Sequence, residues 1–311
     1  MSIDTAWKTD NYKFVGKAFE TAYADRMNKL KPIISEVNAK SIDYEITGAG
    51  GYGELLPYVG KNLNEGSMKR AFKTVVTPEE FTLSIPVGFK EAKIDKLGET
   101  RKVGMRLGAS AAMTVYAHVL RMFANAFNPA FVGGDGKPWA ATDHPVASIA
   151  SSGRSYVADP EAGAFSNKIA KALSVANITE AQGMAHRFVT PDGLPFLCDM
   201  DTLLVSPELE GEAKKICGEN ARLYPDQADH VNPVASMQYI VIGGGRDGFS
   251  AKQWAICDRR TMQEVVNIVY NTRPTVLRGQ LDNPLVDLYT AYVDFAAGWG
   301  DARQIIFSTG A

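Results

Sequence analysis

The sequence predicts an α+β fold with projecting parts, and three observations carry that reading. Apolar residues recur every three or four positions over two stretches, about 9–30 and 96–127. Between them, the stretch 81–90 alternates strictly between apolar and other residues. The remainder mixes short apolar runs with turn residues and contains no internal repeat. A chain of 311 residues, 45% hydrophobic and 22% charged, can bury one large core or two moderate ones with such elements.

From Thr9 to about Leu30, residues Val15, Phe19, Tyr23, Met27 and Leu30 form one apolar stripe with charges between, the mark of an amphipathic helix. The following SIDYEITGAGGYGELLPYVGKNLNEG is glycine-rich and aperiodic, so it reads as a loop or arm. Next, Phe81, Leu83, Ile85, Val87 and Phe89 alternate with Thr82, Ser84, Pro86, Gly88 and Lys90, the period of two of a strand. MKRAFKTVV is read as its antiparallel mate, turned through Thr77-Pro78-Glu79-Glu80. Pro86 has no N–H to give a ladder, which places the strand at an edge or on a projection. A lone hairpin is marginal in water and its apolar side needs cover, so a second chain is expected against it.

The second periodic stretch predicts a long helix from about Lys96 to Phe127, with Val103, Leu107, Ala111, Val115, Val119, Met122 and Ala126 on its buried face. At 1.5 Å per residue it is on the order of 45 Å long. Gly98, Gly104 and Gly108 each cost up to about 1 kcal/mol relative to Ala, which makes its first turns the weakest. Asn128-Pro129 stops it.

After the loop FVGGDGKPWAATDHPVASIASSG comes a helical segment, Asn167 to about Phe188, with Thr179 as N-cap and Gln182 completing a capping box. A turn at Pro191-Asp192-Gly193 leads to the strand TLLV, Thr202 to Val205. Ser206 then serves as N-cap, and Pro207 as first residue, of another helix. Short strands MQYIVI and QWAIC, and the apolar DLYTAYVDFAAGW and QIIFS, close the chain.

The opening MSIDTAWKTDNYKF carries charges where a secretory signal needs an apolar core, and no window approaches the roughly 20 apolar residues that cross a bilayer, so a soluble intracellular protein is expected. Cys198, Cys217 and Cys257 are odd in number and never in C-x-x-C spacing, which fits reduced core thiols and argues against zinc. Thirty-three Lys and Arg against 35 Asp and Glu leave a formal charge of −2, whereas tight nucleic-acid binders are markedly basic. Any contact with DNA is expected to be weak.

Three stretches look like active sites. Asp143-His144 suggests a catalytic or metal-binding pair, but adjacent side chains in an extended segment point to opposite faces, and Pro145 biases His144 to that conformation. His118, His186 and His230 stand in no ligand spacing to it. GGGRDG, Gly243 to Gly248, satisfies G-x-G-x-x-G after a strand, yet another strand follows where a dinucleotide site needs a helix, and Phe249 stands where a P-loop has lysine. A hairpin loop is expected there. Ser152-Gly153 falls in a loop, and neither Gly-x-Ser-x-Gly nor H-E-x-x-H occurs. No catalytic residue, cofactor or metal is expected.

DGKPWAATDHP after the long helix, then DGLPFLCDMDTLLVSPELEGEAKKI, NPVASMQYIVI and the WAICD strand occur in an order that resembles the major capsid proteins of tailed phages, of the Hong Kong 97-like fold, and most closely the Mu-like major head subunit group. The similarity runs from Gly51 to the end. It implies an N-terminal arm (1–49), an extended loop hairpin (50–95), a peripheral domain (96–200) with spine helix 96–127, an axial domain (201–260) and a return to the peripheral domain (261–311). It also implies a non-enzymatic protein that self-assembles, as hexamers and pentamers, into an icosahedral shell around a double-stranded DNA genome. The short arm lacks a cleaved scaffolding segment, so a separate scaffolding protein is expected, with a portal, a possible decoration protein, weak non-specific contact with packaged DNA and no membrane. Location would be the virion, after assembly in the host cytoplasm. Phe72, Phe81, Leu83, Ile85, Val87 and Phe89 are the expected subunit-interface residues, and Asp143-His144 falls in a loop that serves backbone shape. Two alternatives stay open: an encapsulin-like compartment, and a soluble hydrolase using Asp143-His144.

Overall fold

A computed structural model describes residues 3–28, 30–39, 41–48, 72–88, 98–149, 156–158, 164–190, 194–217, 232–244, 247–280 and 286–310. The chain opens with helix α1 (Ile3–Met27), then strands β1 (Ser35–Asn38), β2 (Tyr44–Thr47), β3 (Lys73–Val76) and β4 (Glu79–Gly88) before the long helix α2 (Gly98–Ala124). Short strands β5 (His144–Pro145), β6 (Ala147–Ile149), β7 (Tyr156–Ala158), β8 (Ala164–Phe165) and β9 (Lys168–Ile169) precede helix α3 (Val175–Ala185) and strand β10 (Thr202–Val205). A 3-10 turn, Pro207–Leu209, runs into α4 (Glu210–Ile216). Strands β11 (Gln238–Val241), β12 (Gly243–Gly244), β13 (Asp247–Gly248) and β14 (Trp254–Cys257) lead to α5 (Arg259–Val265), and β15 (Val266–Gln280), β16 (Val286–Trp299) and β17 (Ile305–Ser308) finish the chain. These elements form two compact units: Met1–Tyr44 with Val76–Val119 and Ile268–Ala297, and Glu45–Val75 with Leu120–Asn267 and Gly298–Ala311.

In the first unit the strands order as β1-β15-β16-β4. β4 lies at the edge, where Pro86 is tolerated, and its antiparallel ladder with β16 runs from Val286↔Gly88 to Phe295↔Glu79. The stripes of α1 and α2 meet over this sheet: Val15, Phe19, Leu107 and Ala111 pack with Val87, Val276, Tyr289 and Ala291. Tyr12 donates its hydroxyl to the Val276 carbonyl at 2.7 Å, tying α1 to β15. The glycines that the sequence counts as costs let the helices approach. A Cβ on Gly104 would stand 2.6 Å from the Val15 carbonyl oxygen, and one on Gly108 would stand 2.9 Å from the Phe19 Cα.

β3 and β4, read as mates through Thr77–Glu80, are not paired: β3 pairs with β2, and β4 pairs with β16. The 10-residue β4 gains a ladder along its whole length from β16, which the 4-residue β3 could not supply. The 15-residue β15 went unread in the sequence. Its first residues, 266–270, are all buried, so they form a continuous run instead of an alternation, and Pro274 interrupts the rest.

In the second unit the sheet order is β11-β10-β14-β17-β9. The pairs β10/β11 and β17/β9 are parallel; β10/β14 and β14/β17 are antiparallel. TLLV, WAIC and IIFS are buried at every position, which is why they read as plain apolar runs. Because β9 and β17 complete this sheet, it extends past the 201–260 span assigned to an axial domain. Ile178, Ala181 and Ala185 of α3 pack with Leu203, Val205, Trp254, Ile256 and Ile306.

Three helix starts differ from expectation. Ser174, not Thr179, caps α3 by accepting from the Asn177 N–H. The helix therefore begins before Thr179 but after the expected Asn167, since Lys168–Ile169 form β9; Thr179 donates to the Val175 carbonyl within the helix, and Gln182 donates to the Met200 carbonyl. Ser206 stands at the N-cap position with Pro207 first after it, as expected, but its hydroxyl donates to the Ala251 carbonyl instead of capping, and a 3-10 turn precedes α4. Asp258 caps α5, a helix the sequence reading lacked, by accepting from the Arg260 and Thr261 N–H groups.

At GGGRDG, Gly243↔Gly248 and Gly244↔Asp247 pair antiparallel, while Gly245 and Arg246 lie outside the described residues. Gly248 has φ +108°, and a Cβ there would stand 2.6 Å from the Gly243 Cα, so this pairing needs glycine at 248. The three cysteines are free and buried. Residues 50–71 and 89–95 of the extended loop, including Phe89, and also Ser152-Gly153, the turn Pro191-Asp192-Gly193 and His230 lie outside the described residues.

Candidate assembly surface and the His144 loop

Alternation along β4 puts Phe81, Leu83, Ile85 and Val87 on one face. Burial along that face is uneven. Val87 is buried in the unit's own core, and half-buried Ile85 packs beside it. The Phe81 ring is half-buried, with its centroid 4.8 Å from that of His118 and 5.1 Å from that of Phe295. Leu83 is left 43% exposed. Phe72, in the other unit, is half-buried, and its carbonyl accepts from the Gly48 N–H at 3.1 Å. The structure thus places Val87 in an intramolecular core with Ile85 packed against it, and leaves Leu83 as the most exposed apolar side chain of that face.

The loop after α2 is held by residues the sequence did not single out. Asp143 is exposed and pairs with Lys137, whose hydrogen bond holds the Asp143 carboxyl below the usual carboxylate range. It does not orient its neighbour. His144 is fully buried, its Nδ1 2.6 Å from Asp135 Oδ2 and its Nε2 3.2 Å from Asn167 Oδ1. Its ring stacks on Phe165, with centroids 5.2 Å apart and planes at 23°.

Asn167 joins this loop to the second unit's sheet. Its Oδ1 accepts from the Ala141 N–H at 3.0 Å, and its Nδ2 donates to the carbonyls of Trp139 at 2.7 Å and Ala302 at 3.1 Å. Its backbone N–H donates to the Ala141 carbonyl, and its carbonyl accepts from the Phe307 N–H. Trp139 stacks on Trp299 at 5.5 Å and 9°. A Cβ on Gly133 would stand 2.9 Å from Cζ2 of that Trp299 ring, so glycine is needed where the loop passes it. His144 is therefore a satisfied core histidine that shapes the loop. Its partners stand nine residues before it and 23 after it, so no local motif could announce them.

Among the described residues no cluster of three or more His, Cys, Asp or Glu gathers in metal-binding geometry, and no helix is long and apolar enough to cross a membrane. Burial pushes the Cys198 and Cys217 thiols up to about 11 and Cys257 well above its ordinary value.

Residues 72–307 match a family described as phage capsid protein. No curated protein matches the chain in sequence. In fold it is similar to a virus-like particle from Pyrococcus furiosus, at 8% identity and a TM-score of 0.54 over 96% of this chain and 98% of that one. It is also similar to the mature capsid of bacteriophage PhiM1, at 14% identity and 0.51 over 90% and 86%. A third likeness is the capsid of Ralstonia phage GP4, at 13% identity and 0.51 over 89% and 86%.

Proposed function

Because this chain belongs to the phage capsid protein family and, as a major capsid protein of Hong Kong 97-like fold, forms the shell of the virion, we propose how its parts serve that shell. Copies associate as hexamers and pentamers, and the edge strand β4 with the rest of the extended loop (50–95) contributes to contacts between them. The single observation behind this is Leu83, an apolar side chain left 43% exposed on an edge strand, on the same face as buried Val87. Phe72, Phe81 and Phe89 belong to the same proposed interface, whereas Ile85 and Val87 support it from the core. The names arm (1–49), peripheral domain (96–200 and 261–311) and axial domain (201–260) are part of this proposal.

The shell encloses double-stranded DNA, assembled in the host cytoplasm with a separate scaffolding protein, a portal and in some cases a decoration protein. A formal charge of −2 suits a wall that touches the genome weakly and without sequence preference. The role is structural and not catalytic, and the buried, fully engaged His144 supports that reading. Negative-stain microscopy of purified protein, with nuclease-protected nucleic acid measured in the particles, tests it. Closed shells that take up DNA support it; shells that hold only protein cargo favour a compartment, and a permanently monomeric protein overturns it.

A further inference from the structure

One face of α1 is buried by Val15 and Phe19, but an adjacent face is not. Residues of that second face recur at helical spacing from Phe14 to Arg26 and, with the nearby face of α2, line a groove of about 880 Å³. Its apolar floor includes Phe14, 53% exposed, and Met105, 47% exposed, both unusually open for their size. Four cations line it: Lys17, Arg26, Arg101 and Arg106. Among the described lining residues Asp25 is the single anion. A local excess of three positive charges in a chain of net charge −2 is a concentrated feature, and none of these four cations has an ion-pair partner among the described residues.

From these features we infer that the groove between α1 and α2 receives an acidic amphipathic helix from a partner protein. The lined face of α1 runs from Phe14 to Arg26, about 18 Å along the axis, which matches about three turns of a third helix. Small residues, Ala18 and Ala109, leave room for close approach. The occupant carries apolar residues at i, i+3/i+4 and i+7 against Phe14 and Met105, flanked by Asp or Glu facing the four cations. Close contact of α1 with α2 at Gly104 and Gly108 fixes the two walls, so the groove needs no rearrangement to accept it. A polyanion such as duplex DNA fits the cations but leaves the apolar floor unused. A second copy of the chain meets like charge if two grooves face each other, and sedimentation tests its other faces.

The test uses the unassembled full-length subunit and a fluorescein-labelled 18-residue helical peptide built from leucine, alanine and glutamate, with leucine at the i, i+3/i+4 positions. Anisotropy is expected to show saturable binding, at least tenfold weaker when every glutamate of the peptide is lysine and clearly weaker in 0.5 M salt. The double variant Arg101→Glu/Arg106→Glu, and separately Met105→Ser, should each lower affinity at least tenfold while circular dichroism stays unchanged, because these side chains are exposed. Absence of peptide binding overturns the inference, as does binding that neither variant alters. Preferential binding of a 20-base-pair duplex through the same arginines makes the groove a nucleic-acid surface and overturns it. Sedimentation that shows self-association abolished by Arg101→Glu/Arg106→Glu assigns the groove to a second copy and overturns it as well.

Discussion

Gly104 lies so close to the backbone of Val15 that a methyl group on it would stand 2.6 Å from the Val15 carbonyl oxygen. Glycine in a helix interior ordinarily costs up to about 1 kcal/mol relative to alanine. Here the backbone of α1 occupies the space, so Gly104→Ala is expected to destabilise the subunit by about 1–3 kcal/mol through overpacking. Gly16→Ala, on α1 itself, meets nothing within 4 Å and should instead stabilise by up to about 1 kcal/mol. Urea unfolding of the two variants checks the contrast; equal effects would show that α1 does not pack where it is placed.

Asp143 and His144 should separate cleanly despite being neighbours. Asp143→Asn removes an exposed ion pair and is expected to change stability by less than about 0.5 kcal/mol. His144→Ala takes one partner each from half-buried Asp135 and buried Asn167, leaves a cavity, and should cost about 2–4 kcal/mol. Thermal unfolding reads both, and metal analysis of the parent protein gives an independent check. Stoichiometric metal that disappears with His144 would contradict the structural role.

Asn167→Asp is nearly isosteric yet should be among the most damaging changes in the second unit. It replaces two donors, aimed at the carbonyls of Trp139 and Ala302, by an acceptor facing two acceptors. A loss of roughly 3 kcal/mol is expected, with protein recovered mainly in the insoluble fraction.

The strand β4 predicts opposite outcomes two turns of alternation apart. Leu83→Glu leaves the fold intact, because the side chain is exposed, and lowers the yield of closed shells if the strand contributes to contacts between subunits. Val87→Glu buries an unpaired charge in the subunit's own core, as does Val115→Asp on α2, where the parent side chain is fully buried; both should give insoluble protein. Electron microscopy and solubility on the same preparations decide it. Normal shells from Leu83→Glu remove that residue from the interface.

The thiols supply a pH-dependent prediction. Burial raises Cys198 and Cys217 from 9.0 to about 11, so the unfolded chain releases these protons before the folded one does. Their contribution to stability is full below about pH 9 and is lost as pH rises toward 11. The urea midpoint should therefore fall across that window, less steeply in Cys217→Ala. At pH 8 a thiol reagent should react with none of the three cysteines until the protein unfolds. Rapid modification in the folded state would contradict their burial.

Legibility in the sequence followed how local each feature is. α1 and α2 were readable because a helix with one buried face repeats its apolar residues every three or four positions, and Val15, Phe19, Leu107, Val115 and Val119 do so. β4 and its edge position were readable from alternation and from the missing N–H of Pro86, as the antiparallel pairing of Gly243 with Gly248 was from its glycines. Pairing was not. The partner of β4 lies some 200 residues onward, and nothing within 73–90 distinguishes β16 from the nearer β3. The same holds for His144, whose environment is set by Asp135 and Asn167, and for Gly104, whose value appears only when α1 is laid against it. By itself the sequence determined which segments are helix and strand over most of the chain, because those preferences are written in short-range periodicity and turn chemistry. Only the tertiary structure decided which strands pair, which polar groups satisfy one another and which apolar faces stay open, because these depend on contacts between residues far apart along the chain.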